Sequence, residues 1–183
     1  MQGWGNEEWS GLHEYLAACI ARTLASHGPV LECGSGLSTI LIGAIAKSRG
    51  YRHWALEDNP EWAAKVQRYL DRYRLDGTVL SLAPLKDYGD YGWYDPPLAS
   101  MPDQFSLVVC DGPPGTTKGG RYGLVPIMRE RFGQGCVLLL DDVAREDEAA
   151  IAKRWQIELD SSCTVLGAHK PYAELVIAKP AQG

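Results

Sequence analysis

The feature that most constrains this fold is an apolar strand pattern that ends in an acidic residue and runs straight into a glycine-rich turn. The segment covers residues 30–39 and reads VLECGSGLST. Gly34 and Gly36 lack side chains, so the backbone can turn sharply and approach a ligand closely, and a following helix offers free N–H groups. A glycine turn also occurs without a ligand, and one match alone is weak evidence. The pattern predicts a nucleotide-cofactor loop when taken with the elements that follow it.

Strand and helix patterns alternate along most of the chain. Strands are predicted at 29–33, 52–57, 78–82, 105–110, 135–140, 162–167 and 172–178. Helices are predicted at 8–26, 37–48, 60–74, 121–132 and 145–156. Continuous apolar runs in several strands suit parallel strands buried on both faces, and the last two strands are too close for a helical crossover. We therefore expect an α/β fold with a doubly wound, mostly parallel seven-stranded sheet and a terminal antiparallel hairpin.

The chain length suits a single domain spanning 1–183, with residues 1–28 as an N-terminal helical cover. Residues 84–103 lack helical periodicity and form a predicted irregular insertion, and a stretch this long inside a compact domain is usually functional or disordered. Its aromatic side chains either stack on a ligand ring or fasten the insertion to the body of the protein. These side chains are Tyr88, Tyr91, Trp93 and Tyr94.

An acidic residue closes the second predicted strand. Glu57 follows the apolar run 54–56, where a carboxylate could accept hydrogen bonds from both hydroxyls of a ribose. This arrangement suits NAD and S-adenosylmethionine alike. A dinucleotide fingerprint, however, needs a third glycine where this chain has Thr39. A terminal antiparallel hairpin is also unusual in dinucleotide-binding folds.

Five stretches in order extend the pattern over about residues 29–145. They are 31–36 with Ser38 and Thr39, 56–62, 83–88, 109–115 and 140–145. Together they resemble the class I S-adenosylmethionine-dependent methyltransferases, in particular small bacterial members related to sugar and natural-product O-methyltransferases. The resemblance implies a Rossmann-like methyltransferase fold and O-methylation of a small hydroxylated substrate.

The same resemblance assigns roles to individual residues. The glycine turn would hold the methionine part of S-adenosylmethionine, Glu57 the ribose, and residues 83–85 the edge of the adenine. The implied cofactor-binding residues are Glu32, Gly34, Ser35, Gly36, Ser38, Thr39, Glu57, Asp58, Ala83, Pro84, Leu85 and Asp111.

Three aspartates end neighbouring strands of the predicted sheet. Asp111 ends the fourth strand, and Asp141 and Asp142 end the fifth, so all three should meet at one rim. Like charges this close must be relieved by a cation or by a raised pKa. Related O-methyltransferases hold Mg²⁺ at such positions, which makes these residues candidate metal ligands. Residues 112–115 read GPPG where metal-dependent relatives often have further polar groups; alternatively, Asp141 caps the next helix while Asp111 contacts cofactor or substrate.

Methyl transfer to a hydroxyl needs a group that removes the acceptor proton. Asp111 and Asp142 are the candidate catalytic residues, and a histidine would also suit neutral pH. We expect His13 and His169 within reach of the rim, and His27 and His53 at the surface. Four further side chains either bind an anionic or hydroxylated substrate or form salt bridges to the aspartates. They are Lys118, Arg121, Tyr122 and Arg145.

The net charge of −5 argues against a broad nucleic-acid-binding surface, which leaves a small molecule as the expected partner. No segment has the apolar length of a membrane span or the pattern of a signal peptide. Five cysteines without a Cys-x-x-Cys pair are expected to be buried thiols in a reducing compartment, the cytoplasm. The sequence leaves the oligomeric state open, with a homodimer as the candidate assembly. The alternative functions are an NAD(P)-binding oxidoreductase and a cofactor-binding module without catalysis.

Overall fold

The computed structural model describes residues 13–178, so the predicted cover is described only from His13 onward. Its α-helices are α1 (His13–Ala25), α2 (Leu37–Arg49), α3 (Pro60–Arg72), α4 (Leu124–Met128) and α5 (Glu146–Glu158). Its strands are β1 (Val30–Cys33), β2 (His53–Glu57), β3 (Thr78–Leu82), β4 (Leu85–Asp87), β5 (Gly92–Tyr94), β6 (Phe105–Cys110), β7 (Phe132–Leu140), β8 (Ser161–Leu166) and β9 (Tyr172–Ile177). Short 3₁₀ helices span Leu98–Ser100 and Arg129–Arg131.

Seven of the strands form one sheet in the order β3-β2-β1-β6-β7-β9-β8. The first five in this order pair in parallel, and β9 runs antiparallel to both β7 and β8. The predicted mostly parallel sheet with a terminal antiparallel hairpin is confirmed. The strand order reverses between the adjacent strands β1 and β6, because β2 and β3 lie on one side of this pair and β7 lies on the other. Open α/β sheets bind ligands at the carboxyl ends of the strands beside such a reversal.

Alternate residues of the central strands pack on opposite faces of the sheet. Val30 and Leu107 contact the cluster that contains Tyr15 of α1 and Ile42 of α2. Leu31 and Val108 belong to the cluster on the other face, which includes Trp155 of α5. Burial on both faces explains why these strands read as continuous apolar runs. All five cysteines are free thiols, and four of them are buried.

Two segments differ from their predicted form. The helix expected at 121–132 is reduced to α4 and the 3₁₀ helix Arg129–Arg131. Pro126 lacks an N–H and is tolerated only in the first turn, which limits how early α4 can begin. The insertion is more regular than predicted, since β4 and β5 pair as a small antiparallel hairpin. Strands of three residues are too short to produce a detectable alternation. Within residues 13–178, no helix has the length and apolarity required to cross a bilayer.

Candidate active site

Gly34 and Gly36, in the loop that follows β1, have different structural surroundings. Gly34 adopts φ +85°, and a Cβ added there would lie 3.1 Å from the backbone nitrogen of Gly112. Its lack of a side chain therefore lets two loops pack backbone to backbone. A Cβ added to Gly36 would meet no atom of residues 13–178 within 4 Å, while the Gly36 N–H donates to Thr39 Oγ1 at 2.8 Å. Open space thus lies beside Gly36, where a ligand can approach the backbone.

The Glu57 carboxylate at the end of β2 is tied to this loop. Its Oε2 accepts hydrogen bonds from the Ser35 backbone N–H at 3.0 Å and the Ser35 hydroxyl at 2.7 Å. Its Oε1 accepts from the backbone N–H of Asn59 at 3.0 Å. An ionised carboxylate offers about four acceptor positions, so these three bonds leave capacity for a ligand hydroxyl. Trp62 Nε1 donates to the Ser35 carbonyl at 2.8 Å and holds the loop from the other side.

Most of the other residues assigned to the cofactor follow the ends of β1, β2 and β3. Ser38 and the buried Thr39 lie in the first turn of α2. Asp58 is half-buried, and burial raises its pKa. The buried Ala83 donates its N–H to the Glu57 carbonyl at 2.7 Å, and the exposed Pro84 and Leu85 follow it. The residues assigned to the adenine and those assigned to the ribose therefore lie at one edge of the sheet.

Glu32 is placed differently from the other members of the set. Its side chain is 1% exposed, and Oε2 lies 3.1 Å from Nε2 of the fully buried His53. His53 Nδ1 is 3.3 Å from Thr78 Oγ1 on β3. The Glu32 carboxylate thus contacts a buried side chain of the protein and does not face a ligand site. The expectation that His53 lies at the surface was wrong, because it is the first residue of β2 and pairs in register between β1 and β3.

The three aspartates meet at the carboxyl ends of β6 and β7, where one oxygen of each lies within 4.8 Å of the others. Asp111 keeps 33% of its side chain exposed. Asp141 is fully buried, and Asp142 is 8% exposed. Asp142 adopts φ +65°, a left-handed conformation that aspartate tolerates better than most residues. Asp111 is therefore the carboxylate that a ligand can reach.

Arg121 is the central cation of the aspartate cluster and is itself 3% exposed. Its Nη2 donates to Asp111 Oδ1 at 3.1 Å and to Asp142 Oδ2 at 2.8 Å. Its Nη1 donates to the Asp141 carbonyl at 2.7 Å. Arg145 Nη1 lies 3.1 Å from Asp142 Oδ2. For Arg121 and Arg145, the salt-bridge alternative is the one that the structure shows.

Lys170 is the member of the cluster that the sequence did not reveal. Its Nζ lies 2.6 Å from Asp141 Oδ2 and 2.8 Å from Asp142 Oδ1. Because β9 runs antiparallel beside β7, the turn that enters β9 lies next to the residues that leave β7. The sequence predicted the hairpin but not which of its two strands would pair with β7, so it did not indicate that Lys170 would reach these aspartates. His13 and His169 lie beside each other, with ring centroids 6.4 Å apart.

The cations determine how the aspartates ionise. Burial raises the pKa of Asp111 to about 7, a rise that Arg121 opposes and the neighbouring Asp141 reinforces. Burial also acts to raise the pKa of Asp142, but Lys170 and Arg121 outweigh it and hold that pKa below its usual value. Burial opposes the charge of Lys170, yet Asp141 and Asp142 raise its pKa. Two effects were expected to reduce the repulsion between the aspartates, a neighbouring cation and a raised pKa, and both are present.

Comparison with solved structures identifies proteins of similar fold. No protein-family model and no curated protein sequence matches the chain. A precorrin-6y C5,15-methyltransferase from Geobacter metallireducens has 16% identity and a TM-score of 0.68, over 94% of this chain and 91% of that one. SAH-bound PaMTH1, a methyltransferase from Podospora anserina, has 14% identity and a TM-score of 0.69, over 94% and 82%. An O-methyltransferase from Bacillus cereus in complex with SAH has 15% identity and a TM-score of 0.65, over 92% and 83%.

The chain has the class I methyltransferase fold. At these identities the likeness establishes the fold alone. Open α/β sheets bind ligands beyond the carboxyl ends of the strands where the strand order reverses, and the glycine loop, Glu57 and the aspartate cluster lie at that edge of this sheet.

A cavity of about 600 Å³ opens between the insertion, the segment after β6 and α5. Tyr91 and Tyr122 meet edge to face in its wall, with ring centroids 5.3 Å apart. The guanidinium of Arg154 lies 3.6 Å from the centroid of the Tyr122 ring. Asp90 and Asp147 add carboxylates to the lining. Trp93 and Tyr94, by contrast, are fully buried and fasten the insertion to the core.

The aspartate cluster does not fit a magnesium ion as it is arranged. Lys170 contacts Asp141 Oδ2 and Asp142 Oδ1, and Arg121 contacts Asp111 Oδ1 and Asp142 Oδ2. Mg²⁺ requires an octahedron of oxygen ligands at about 2.0–2.1 Å. The buried Asp141 Oδ1 has no hydrogen-bond partner among residues 13–178, but the oxygens of Asp141 and Asp142 that face each other are held by the Lys170 ammonium, which an ion between them would have to displace. Asp141 does not cap α5 either, because the residue at its N-cap is Arg145.

Proposed function

We propose that this protein is an S-adenosylmethionine-dependent methyltransferase that methylates a hydroxyl group of a small sugar-like or natural-product-like molecule. The observation that carries the proposal is the open space beside Gly36, next to the Glu57 carboxylate. Backbone without side chains and a carboxylate with spare acceptor capacity suit a ligand with an amino-acid part and a ribose. Both lie at the ligand-binding edge of a methyltransferase fold.

The chain's own residues would bind and orient the cofactor. When bound, S-adenosylmethionine supplies a methyl carbon that its sulfonium has already activated. The backbone at Gly34, Ser35 and Gly36 faces the amino-acid part, and Glu57 accepts from the ribose. Ala83, Pro84 and Leu85 border the adenine, with Asp58 beside the ribose. Because Glu32 is sealed against His53, we assign it a structural part in holding β1 and β2 beneath this loop.

The aromatic cavity is the proposed acceptor site. Its volume of about 600 Å³ lies within the range of about 300–1,000 Å³ that small-molecule sites occupy. Tyr91 and Tyr122 line the cavity with aromatic surface that suits a sugar or aromatic ring, and Asp90, Asp147 and Thr117 offer hydrogen bonds to hydroxyls. Gly120 of the cavity wall directly precedes Arg121, so this wall continues into the aspartate cluster.

Asp111 is the proposed general base. It is the aspartate of the cluster with a substantial exposed surface, at 33%, and its pKa of about 7 suits a proton acceptor at neutral pH. Asp142 holds Arg121 and Lys170 in place, so we assign it a positioning part. Alignment of donor and acceptor supplies the rest of the rate enhancement, an effect worth about 7–11 kcal/mol in well-oriented reactions.

The free thiols support the cytoplasm as the expected compartment.

The test is calorimetric titration of the purified protein with S-adenosylhomocysteine, in parallel with NAD. We expect binding of S-adenosylhomocysteine and none of NAD. Binding of NAD alone would support an oxidoreductase, and the proposal would then be wrong. A panel of hydroxylated acceptors with methyl-labelled S-adenosylmethionine follows. Cofactor binding without label transfer to any acceptor, sugars and phenols included, would instead support the non-catalytic module.

A further inference from the structure

Lys170 lies where a divalent cation would bridge the two aspartates at the end of β7. Its Nζ is 2.6 Å from Asp141 Oδ2 and 2.8 Å from Asp142 Oδ1, so one ammonium contacts both carboxylates. The Asp141 side chain is fully buried, and that of Lys170 is 26% exposed. An ammonium placed between two carboxylates satisfies the same electrostatic requirement as a small cation bound there.

Cationic side chains of the protein contact every aspartate of the cluster. The three aspartates face three such groups, those of Arg121, Arg145 and Lys170, at contact distances of 3.1 Å or less. Arg145 also lies 3.8 Å from the buried Glu148 carboxylate. A divalent ion bound between Asp141 and Asp142 would have to displace the Lys170 ammonium from both carboxylates.

The hairpin turn that carries Lys170 is anchored on both sides. The Glu14 carboxylate of α1 accepts hydrogen bonds from the backbone N–H of Ala168 at 3.1 Å and of His169 at 3.0 Å. The Val143 N–H donates to the Pro171 carbonyl at 3.1 Å. These contacts fix the backbone before and after Lys170, so its side chain starts from a defined position.

We propose that the ammonium of Lys170 takes the place of a divalent cation between Asp141 and Asp142, so that the rim binds no divalent metal. Resting on the proposed function, the same arrangement makes methyl transfer by this chain independent of metal. Lys170 is a positioning residue, because it contacts the aspartates and holds the cluster that presents Asp111.

The experiment measures Mn²⁺ binding by electron paramagnetic resonance, in which free Mn²⁺ gives the signal. We compare wild type, Lys170→Met, Lys170→Arg and the surface control Lys86→Met, whose ammonium pairs with the exposed Asp95 at 3.3 Å. Lys170→Met frees oxygens of Asp141 and Asp142, so we expect one bound Mn²⁺ per chain, at least tenfold tighter than in wild type. Lys170→Arg keeps the charge and should match wild type, as should Lys86→Met. A structural role alone would not create a metal site.

Two outcomes overturn the proposal. One is stoichiometric Mn²⁺ binding by wild type that Asp141→Asn abolishes. The other is a folded Lys170→Met chain that binds Mn²⁺ no better than wild type. If Lys170→Met does not fold, wild type decides: a melting temperature unchanged by Mg²⁺ or a chelator supports the proposal, and a rise with Mg²⁺ contradicts it. None of these readouts needs methyl transfer, so failure of the proposed function is detected separately, by the titration with S-adenosylhomocysteine.

Discussion

His53 Nε2 lies 3.1 Å from Glu32 Oε2, and neither side chain is more than 1% exposed. The contact crosses from β1 to β2, since His53 pairs in register with Val30, two residues before Glu32. Among residues 13–178, neither Glu32 oxygen nor His53 Nε2 has a hydrogen-bond partner. A buried carboxylate without hydrogen bonds is costly, so the imidazole beside it is a group on which the stability of the sheet depends.

Replacing His53 with alanine should be strongly destabilising. The change removes a fully buried ring and leaves the Glu32 carboxylate without the polar side chain beside it, and a buried polar group left unsatisfied costs about 1–3 kcal/mol, or more when it is charged. Urea unfolding followed by circular dichroism measures the loss, with the exposed His27→Ala as the matched control. An unfolding midpoint equal to that of the control would show that the pair contributes little.

Alanine at the two loop glycines should separate folding from binding. Gly34→Ala places a methyl group on backbone at φ +85° and against Gly112, so the melting temperature should fall. Gly36→Ala places its methyl group in open space, so the melting temperature should stay near that of wild type. Its affinity for S-adenosylhomocysteine should drop, because the methyl group occupies the proposed cradle. Full affinity in a folded Gly36→Ala chain would place the cofactor elsewhere.

Glu57→Gln should weaken cofactor binding. A hydrogen bond to a charged group contributes about 1.5–3 kcal/mol, so each lost ribose bond should reduce affinity about ten- to a hundredfold. Glu61→Gln, an exposed change in the first turn of α3, is the control. Calorimetry with S-adenosylhomocysteine gives both constants. Equal losses in the two variants would argue against a specific contact at Glu57.

The rate of methyl transfer should depend on the ionisation of Asp111. Its pKa of about 7 means that the carboxyl is protonated, and unable to accept a proton, at more acidic pH. kcat/KM should therefore rise as pH increases toward 7 and level off above it. Asp111→Asn should remove most of the activity, while the exposed Asp103→Asn should keep the wild-type profile. A flat profile in wild type would exclude Asp111 as the base.

The sequence predicted the sheet well and the partnerships within it poorly. Apolar runs such as 105–110 located the strands, because burial on both faces leaves a local signature. The position of Asp111 at a strand end followed from the same reasoning. His53 and Lys170 were missed because their partners lie far along the chain, 21 and 29 positions away. Such partners become visible only when the register of β1 with β2 and of β7 with β9 is known.

The order of the last strands also determines when the aspartate cluster is completed during synthesis. β9 lies between β7 and β8, so β8 has no place in the sheet until the later β9 has been made. A ribosome releases Asp111, Asp141 and Asp142 before Lys170. Until β9 docks beside β7, the nascent chain carries these aspartates without the Lys170 ammonium. Lys170 can therefore contact Asp141 and Asp142 only once β9 has joined the sheet beside β7, which couples the last cation of the rim to completion of the sheet.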